Sequence, residues 1–120
     1  MDDALAEAEI RRWQAQDAPT RGEIRRMLMG GLVTEADSRP AATSDEVNEI
    51  VARLQAIDRL DLKARLVAAG LLPRPYAITE EGLVEGCESC MYFEKHRRYC
   101  NLPELAVPVE PEWSCRLWRI

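Results

Sequence analysis

The residues best suited to chemistry are four cysteines near the carboxyl end of the chain. Cys87, Cys90, Cys100 and Cys115 follow the spacing C-x2-C-x9-C-x14-C, and no cysteine precedes Cys87. Thiolates are preferred ligands of zinc and of iron–sulfur clusters, and one such centre would use all four. A segment as short as residues 87–120 usually needs a metal or disulfides to fold. The pattern therefore predicts a metal or cluster site with these four cysteines as ligands.

Two inorganic centres fit this set of thiolates. Zinc ribbons usually present two C-x2-C pairs, whereas only Cys87 and Cys90 form such a pair here. A [4Fe–4S] cluster accepts four singly placed cysteines. We therefore expect a [4Fe–4S] cluster, with Zn²⁺ as the alternative. Most aromatic residues of the chain lie in the same segment and are predicted to shield the centre from water: Tyr92, Phe93, Tyr99, Trp113 and Trp118.

Three short motifs of this segment occur together in a known family. They are CESC at 87–90, CNL at 100–102 and WSCRLW at 113–118. In these motifs the segment resembles the cluster-binding segment of high-potential iron–sulfur proteins. It is also similar to small modules in accessory subunits of glycyl-radical enzymes. The resemblance implies a [4Fe–4S] cluster and, as one possible role, electron transfer.

Helical patterns occupy most of the chain before the cysteines. Residues 3–16 are rich in Ala, Glu and Arg, which favours a first helix. Pro19 is expected to end that helix, and Thr20 is expected to cap a second helix over residues 21–29. Residues 1–18 are therefore predicted to form a helical arm, which packs on its own core or on a partner.

Two further helices are predicted with well-marked ends. Thr43 and Glu46 have the spacing of a capping box, and apolar residues follow at helical intervals over residues 44–57. The last helix is predicted over residues 62–69, where Gly70 stops it. The order of elements therefore predicts a mainly α body.

Two phrases follow the last predicted helix: AGLL at 69–72 and YAITEEG at 76–82. With the helices before them, they make residues 20–84 similar to winged helix-turn-helix domains. The resemblance implies a small helical body with a short β wing over residues 20–86, followed by an irregular four-cysteine module at residues 87–120. It also implies that the body binds DNA or the transcription machinery. The residues expected to contact DNA are Arg59, Lys63, Arg65 and Arg74.

The charge of the chain limits its binding to nucleic acid. The formal net charge is −5, and the acidic excess lies in residues 1–86. Such a body does not attract nucleic acid over its whole surface, although one basic face is allowed. The basic loop at residues 95–98 is expected to lie in solvent or, with Arg116 and Arg119, to face phosphates.

The sequence also bears on location. No apolar run approaches the 18 or so residues of a membrane span. Residues 1–3 lack the basic start and apolar core of a signal peptide. We therefore expect a cytoplasmic protein without a membrane partner. In that compartment clustered cysteines are more often ligands than disulfides.

No catalytic constellation accompanies the cysteines in the sequence. His96 is the one histidine that could serve as a base, and metal ligation would occupy the thiolates. Glycine-rich phosphate loops and hydrolase motifs are absent from the sequence. The sequence therefore predicts a non-enzymatic small regulatory protein. The alternative is an iron–sulfur electron-transfer module or accessory subunit that docks on a larger enzyme, and the oligomeric state is left open.

Overall fold

The chain folds mainly into helices. The computed structural model describes the backbone of residues 3–119 and the side chains of residues 6–119. Three α-helices come first: α1 (Asp3–Met29), α2 (Ser44–Ala56) and α3 (Leu62–Ala69). A short 3-10 helix (Cys87–Ser89) and a two-stranded antiparallel sheet follow, with strands β1 (Phe93–Glu94) and β2 (Tyr99–Cys100). Among the residues described, no helix combines the length and the apolar composition needed to cross a membrane.

One continuous helix, α1, occupies the region in which the sequence predicts two. Pro19 lies inside α1 and does not end it. A proline inside a helix costs about 3 kcal/mol, because it removes a backbone hydrogen bond and crowds the preceding turn. Contacts with the tail hold α1 on both sides of this position, through Asp17 and Arg21. The predicted helix boundary at Pro19 is therefore wrong, because tertiary contacts outweigh the local preference.

The ends of α2 and α3 agree with the capping signals in the sequence. Thr43 Oγ1 accepts a hydrogen bond of 3.2 Å from the backbone N–H of Glu46. The Glu46 carboxylate accepts one of 3.0 Å from the N–H of Ala42. Asp61 caps α3, which ends at Gly70 with a left-handed φ of 66°. These ends were predictable because residues close in sequence determine them.

A small hairpin follows α3. The backbone N–H of Tyr76 donates to the carbonyl of Glu85 at 2.9 Å, and Ile78 forms an antiparallel bridge with Val84. The turn between them includes Gly82, whose φ of 84° favours glycine. The extended hairpin predicted after α3 is thus present as a short, bridge-stabilised turn.

The segment just before the hairpin pairs with the cysteine-rich tail. Leu72 and Ser114 exchange two backbone hydrogen bonds, of 2.8 and 3.1 Å. The Ser114 hydroxyl donates to the carbonyl of Arg74 at 2.7 Å. Arg74 therefore precedes the hairpin and belongs to a segment that is bound to the tail.

The helices and the tail share one hydrophobic core. The helices contribute Ile24, Leu28, Ile50, Leu54, Leu66 and Ala69 to it. The tail contributes Leu102, Leu105, Val107, Val109, Trp113 and Leu117. Burying apolar side chains is the main favourable term in folding, so each part depends on the other for stability. The division into domains at residues 1–18, 20–86 and 87–120 stays a prediction.

Candidate metal centre

All four cysteines border a single cavity, which is lined by residues of the tail and by Leu71 of the body. Its volume is about 20 Å³, close to the space of one water-sized sphere. A cavity of this size has no room for an organic cofactor, and a four-iron cluster would fit only if the walls moved apart. The other side chains that line it are aliphatic or aromatic, and none of them carries a charge: Leu71, Tyr92, Phe93, Leu102, Leu105, Val109, Leu117 and Trp118.

The 3-10 helix positions the first pair of cysteines. The backbone N–H of Cys87 donates to the carbonyl of Trp113 at 2.6 Å, which joins this helix to the end of the tail. The N–H of Cys90 donates to the carbonyl of Cys87 at 3.0 Å. Both cysteines of the C-x2-C pair, joined by this tight turn, line the cavity.

Different elements position the other two cysteines. Cys100 lies in β2, and its N–H donates to the carbonyl of Val107 at 2.9 Å. Cys115 follows Ser114, the residue that pairs with Leu72, and its carbonyl accepts from the N–H of Trp118 at 3.1 Å. Long-range pairing therefore brings Cys100 and Cys115 to the cavity.

The four thiols are free and largely withdrawn from solvent. Cys87 is 9% exposed and Cys115 is 8% exposed, while Cys90 and Cys100 are half-buried. Burial raises the pKa of Cys100 to about 11 and the pKa of Cys115 to about 12. Burial also raises the pKa of Cys87, and the charges of the other three cysteines act in the same direction. The buried thiols of Cys87, Cys100 and Cys115 therefore favour the protonated form at neutral pH, and a metal that binds them must displace protons.

The thiols border the same space without converging on one point. Within residues 3–119, no group of three or more Cys, His, Asp or Glu side chains lies close enough to hold a single metal ion. A tetrahedral zinc site needs four sulfurs that all lie about 2.3 Å from the metal. The ligand set predicted from the sequence therefore stays a prediction, although all its members line one cavity.

Three of the five aromatic residues expected to shield the centre line the cavity. These are Tyr92, Phe93 and Trp118. Tyr99 instead lies against Arg97, whose guanidinium carbon is 3.7 Å from the centre of the tyrosine ring. Trp113 is buried in the shared core. All five rings belong to the tail, as the sequence shows. Only the tertiary structure decides which of them line the cavity.

Sequence reasoning missed the aliphatic wall of the cavity and one polar group near it. Leu105 and Val109 lie in a short apolar run, LAVPV at 105–109, which indicates a buried segment but not that it lines a cavity. Tyr76 has a buried hydroxyl without a hydrogen-bond partner among the described residues. Burial raises the pKa of Tyr76, and the charges of Cys115 and Cys87 contribute to that shift.

The four residues predicted to contact DNA have different environments. Arg59 donates to the carbonyl of Pro103 at 2.7 Å, and Arg65 donates to the carbonyl of Leu105. Both arginines thus hold the loop that follows Cys100. Burial lowers the pKa of Arg65, whereas Arg59, Lys63 and Arg74 are exposed.

The basic loop of the tail holds the tail to α1. Arg97 forms hydrogen bonds of 2.7 and 3.1 Å to the carboxylate of Asp17. Arg98 pairs with Glu110 at 3.4 Å, and Glu110 also lies 3.3 Å from Arg21. Arg97 and Arg98 are thus paired within the protein, whereas Lys95 and His96 are exposed, as expected of a loop in solvent.

Comparison with known proteins gives no relative. No family model, no curated protein and no solved structure matches this chain. Support for a function therefore comes from the geometry of the site.

Proposed function

We propose that this chain is a non-enzymatic protein whose four cysteines hold a [4Fe–4S] cluster inside the tail, next to Leu71. The observation that carries the proposal is that all four thiols border one small, apolar cavity. They reach it from three separate parts of the tail: the 3-10 helix, β2 and the segment after Ser114. Sulfur ligands without other polar neighbours suit soft metal centres.

The spacing of the cysteines, with only one C-x2-C pair, favours a cluster over a single zinc ion. The thiols border one space without converging on one point, so either centre would require the cysteine side chains to move as it binds. Uncharged aliphatic and aromatic walls limit access of water, and such burial is one of the factors that set a cluster's reduction potential. Zinc in the same cage is the alternative, and its role would be structural.

A centre with four protein thiolates leaves no position for a substrate. Catalytic metals keep an open coordination site, whereas fully ligated metals stabilise a fold or carry electrons. His96 is exposed and does not line the cavity. The proposed centre is therefore a structural or redox group of a regulatory protein, and not the active site of an enzyme.

Electron transfer is the second candidate function, and the position of the cavity favours it. Tyr92, Phe93 and Trp118 line the cavity and are also partly exposed. Met91, next to Cys90 in the chain, is 62% exposed. A cluster bound there would lie close to the surface, where a larger enzyme could dock and exchange electrons.

The metal content of anaerobically purified protein tests the proposal. We expect a brown protein that absorbs near about 400 nm and contains about four irons per chain, as a cluster requires. Colourless protein with one zinc per chain would support the structural alternative. Protein that contains neither metal when it is expressed with both available would contradict the proposed centre.

DNA binding by the body, as in the regulatory proposal, would use the two predicted residues whose side chains do not bind the tail. Because Arg59 and Arg65 bind the tail, Lys63 and Arg74 remain for phosphate contacts. We expect the double substitution Lys63→Ala and Arg74→Ala to weaken binding to duplex DNA and to reduce the salt slope by about one per lost contact. Arg39→Ala, an exposed loop substitution, is the control in a gel-shift titration. Equal binding by both variants would remove the support for this surface.

A further inference from the structure

The loop between Cys90 and Cys100, residues 91–99, connects two of the proposed ligands to α1. It is called the clamp loop here. Its backbone is held at both ends, since Phe93 donates to the carbonyl of Cys90 at 3.0 Å and Asn101 donates to the carbonyl of Tyr92 at 2.8 Å. The conformation of the clamp loop therefore depends on where Cys90 and Cys100 are held.

Two arginines join the tip of the clamp loop to α1: Arg97 from the loop and Arg21 from the helix. Arg97 binds the Asp17 carboxylate with both a 2.7 and a 3.1 Å hydrogen bond. Its guanidinium carbon also lies 5.7 Å from the ring centre of Trp13. In the other direction, Arg21 of α1 donates to the carbonyls of Arg97 and Arg98 at 3.1 and 2.9 Å. Charge-assisted hydrogen bonds of this kind are stronger than neutral ones.

The backbone of the tip shows that its shape depends on these contacts. Arg98 has a φ of 54°, in the left-handed region. Residues with side chains keep such a conformation only where their surroundings hold it. The carbonyl of Arg98 is one of the two that Arg21 binds, so α1 helps to maintain the conformation of the clamp loop.

The first half of α1 has little else to hold it. Among residues 6–20, Asp17 is the one buried residue, with 6% exposure. The core residues of α1, Ile24 and Leu28, lie in its second half. Docking of residues 6–20 therefore depends mainly on Asp17 and Trp13, which both contact Arg97.

From this arrangement we infer that occupancy of the metal centre controls the docking of the first half of α1. A filled centre holds Cys90 and Cys100, and thereby fixes the clamp loop that binds Asp17. Emptying the centre frees the loop and releases residues 6–20 of the helix, including the half-buried Trp13. This inference rests on the proposed function and makes the chain a sensor that reports the state of its centre through α1.

Thermodynamic linkage gives a test that does not require an empty, folded protein. If metal binding favours docking of the helix by some factor, docking of the helix must favour metal binding by the same factor. Weakening the contact at Asp17 should therefore accelerate metal loss, although Asp17 neither lines the cavity nor lies near the cysteines in sequence.

The test compares Asp17→Asn with Glu9→Gln in the full-length, metal-loaded protein. Both substitutions remove one negative charge from α1, but Glu9 forms only an exposed ion pair of 3.8 Å with Arg12. We expect Asp17→Asn to accelerate metal loss to a chelator about tenfold and to increase amide exchange in residues 6–20. Glu9→Gln should change neither, and slow exchange in α2 shows that both variants are folded.

The outcomes separate this inference from the proposed function. Metal-free wild-type protein overturns both, and this is seen before any variant is compared. If wild-type protein holds metal and Asp17→Asn loses it at the rate of Glu9→Gln, the coupling is wrong and the proposed function stands. Faster metal loss without increased exchange in residues 6–20 also overturns the coupling, because the effect then does not act through α1.

Discussion

Substitution of Cys115 by serine is expected to abolish metal retention and to destabilise the whole chain. Cys115 is buried, and a serine hydroxyl is a poor ligand for iron or zinc in a sulfur cage. Metal binding supplies folding free energy in such modules, about 10–16 kcal/mol for structural zinc at neutral pH. The tail also forms half of the shared core, so the helices should lose stability with it.

This expectation is checked by metal analysis and by thermal unfolding followed by circular dichroism. Each kcal/mol lost lowers the midpoint by about 4 °C in a domain of this size. Met91→Ser is the control, since it introduces the same side chain beside another cysteine at an exposed position. A Cys115→Ser protein that keeps its metal and its midpoint would show that Cys115 is not a ligand.

Glu110→Ala is expected to cause the second large effect. Glu110 lies 3.3 Å from Arg21, 3.0 Å from Arg25 and 3.4 Å from Arg98. The side chains of Arg21 and Glu110 are only 5% and 10% exposed. Removing the carboxylate leaves a buried guanidinium without its countercharge, which typically costs about 3–5 kcal/mol.

Urea unfolding measures this loss directly. Glu112→Ala is the matched control, because Glu112 lies two residues away and is exposed. Surface substitutions of that kind usually change the free energy of unfolding by less than about 0.5 kcal/mol. If Glu110→Ala is as stable as Glu112→Ala, the ion pairs with α1 contribute nothing to the fold.

The comparison of α1 with α2 shows which parts of the fold could be predicted. The start of α2 depends on Thr43 and Glu46, and each can be recognised within one turn of sequence. The continuity of α1 depends on Asp17 and Arg21, whose partners lie more than 70 residues away. The rule that a proline ends a helix fails at Pro19, because it considers neighbouring residues and not those distant partners.

The contacts of the basic residues near the candidate site could likewise not be predicted from the sequence. Their types and spacing suggested DNA contacts and a solvent-exposed loop. Arg65 and Arg97 instead bind a tail carbonyl and a helix carboxylate. The sequence alone does not show whether an arginine binds a phosphate or another part of the protein. Only the folded chain shows which contact the arginine makes.

The sequence by itself determined the capped start of α2, the end of α3 at Gly70 and the mainly helical body, and it predicted the four cysteines as metal ligands. Each of these follows from residue type and short spacing. The tertiary structure alone decided that Cys100 and Cys115 border the same cavity as the C-x2-C pair, and that α1 is tied to the loop between two of them. The physical reason is that burial and ion pairing act between residues that lie far apart along the chain, where spacing carries no information.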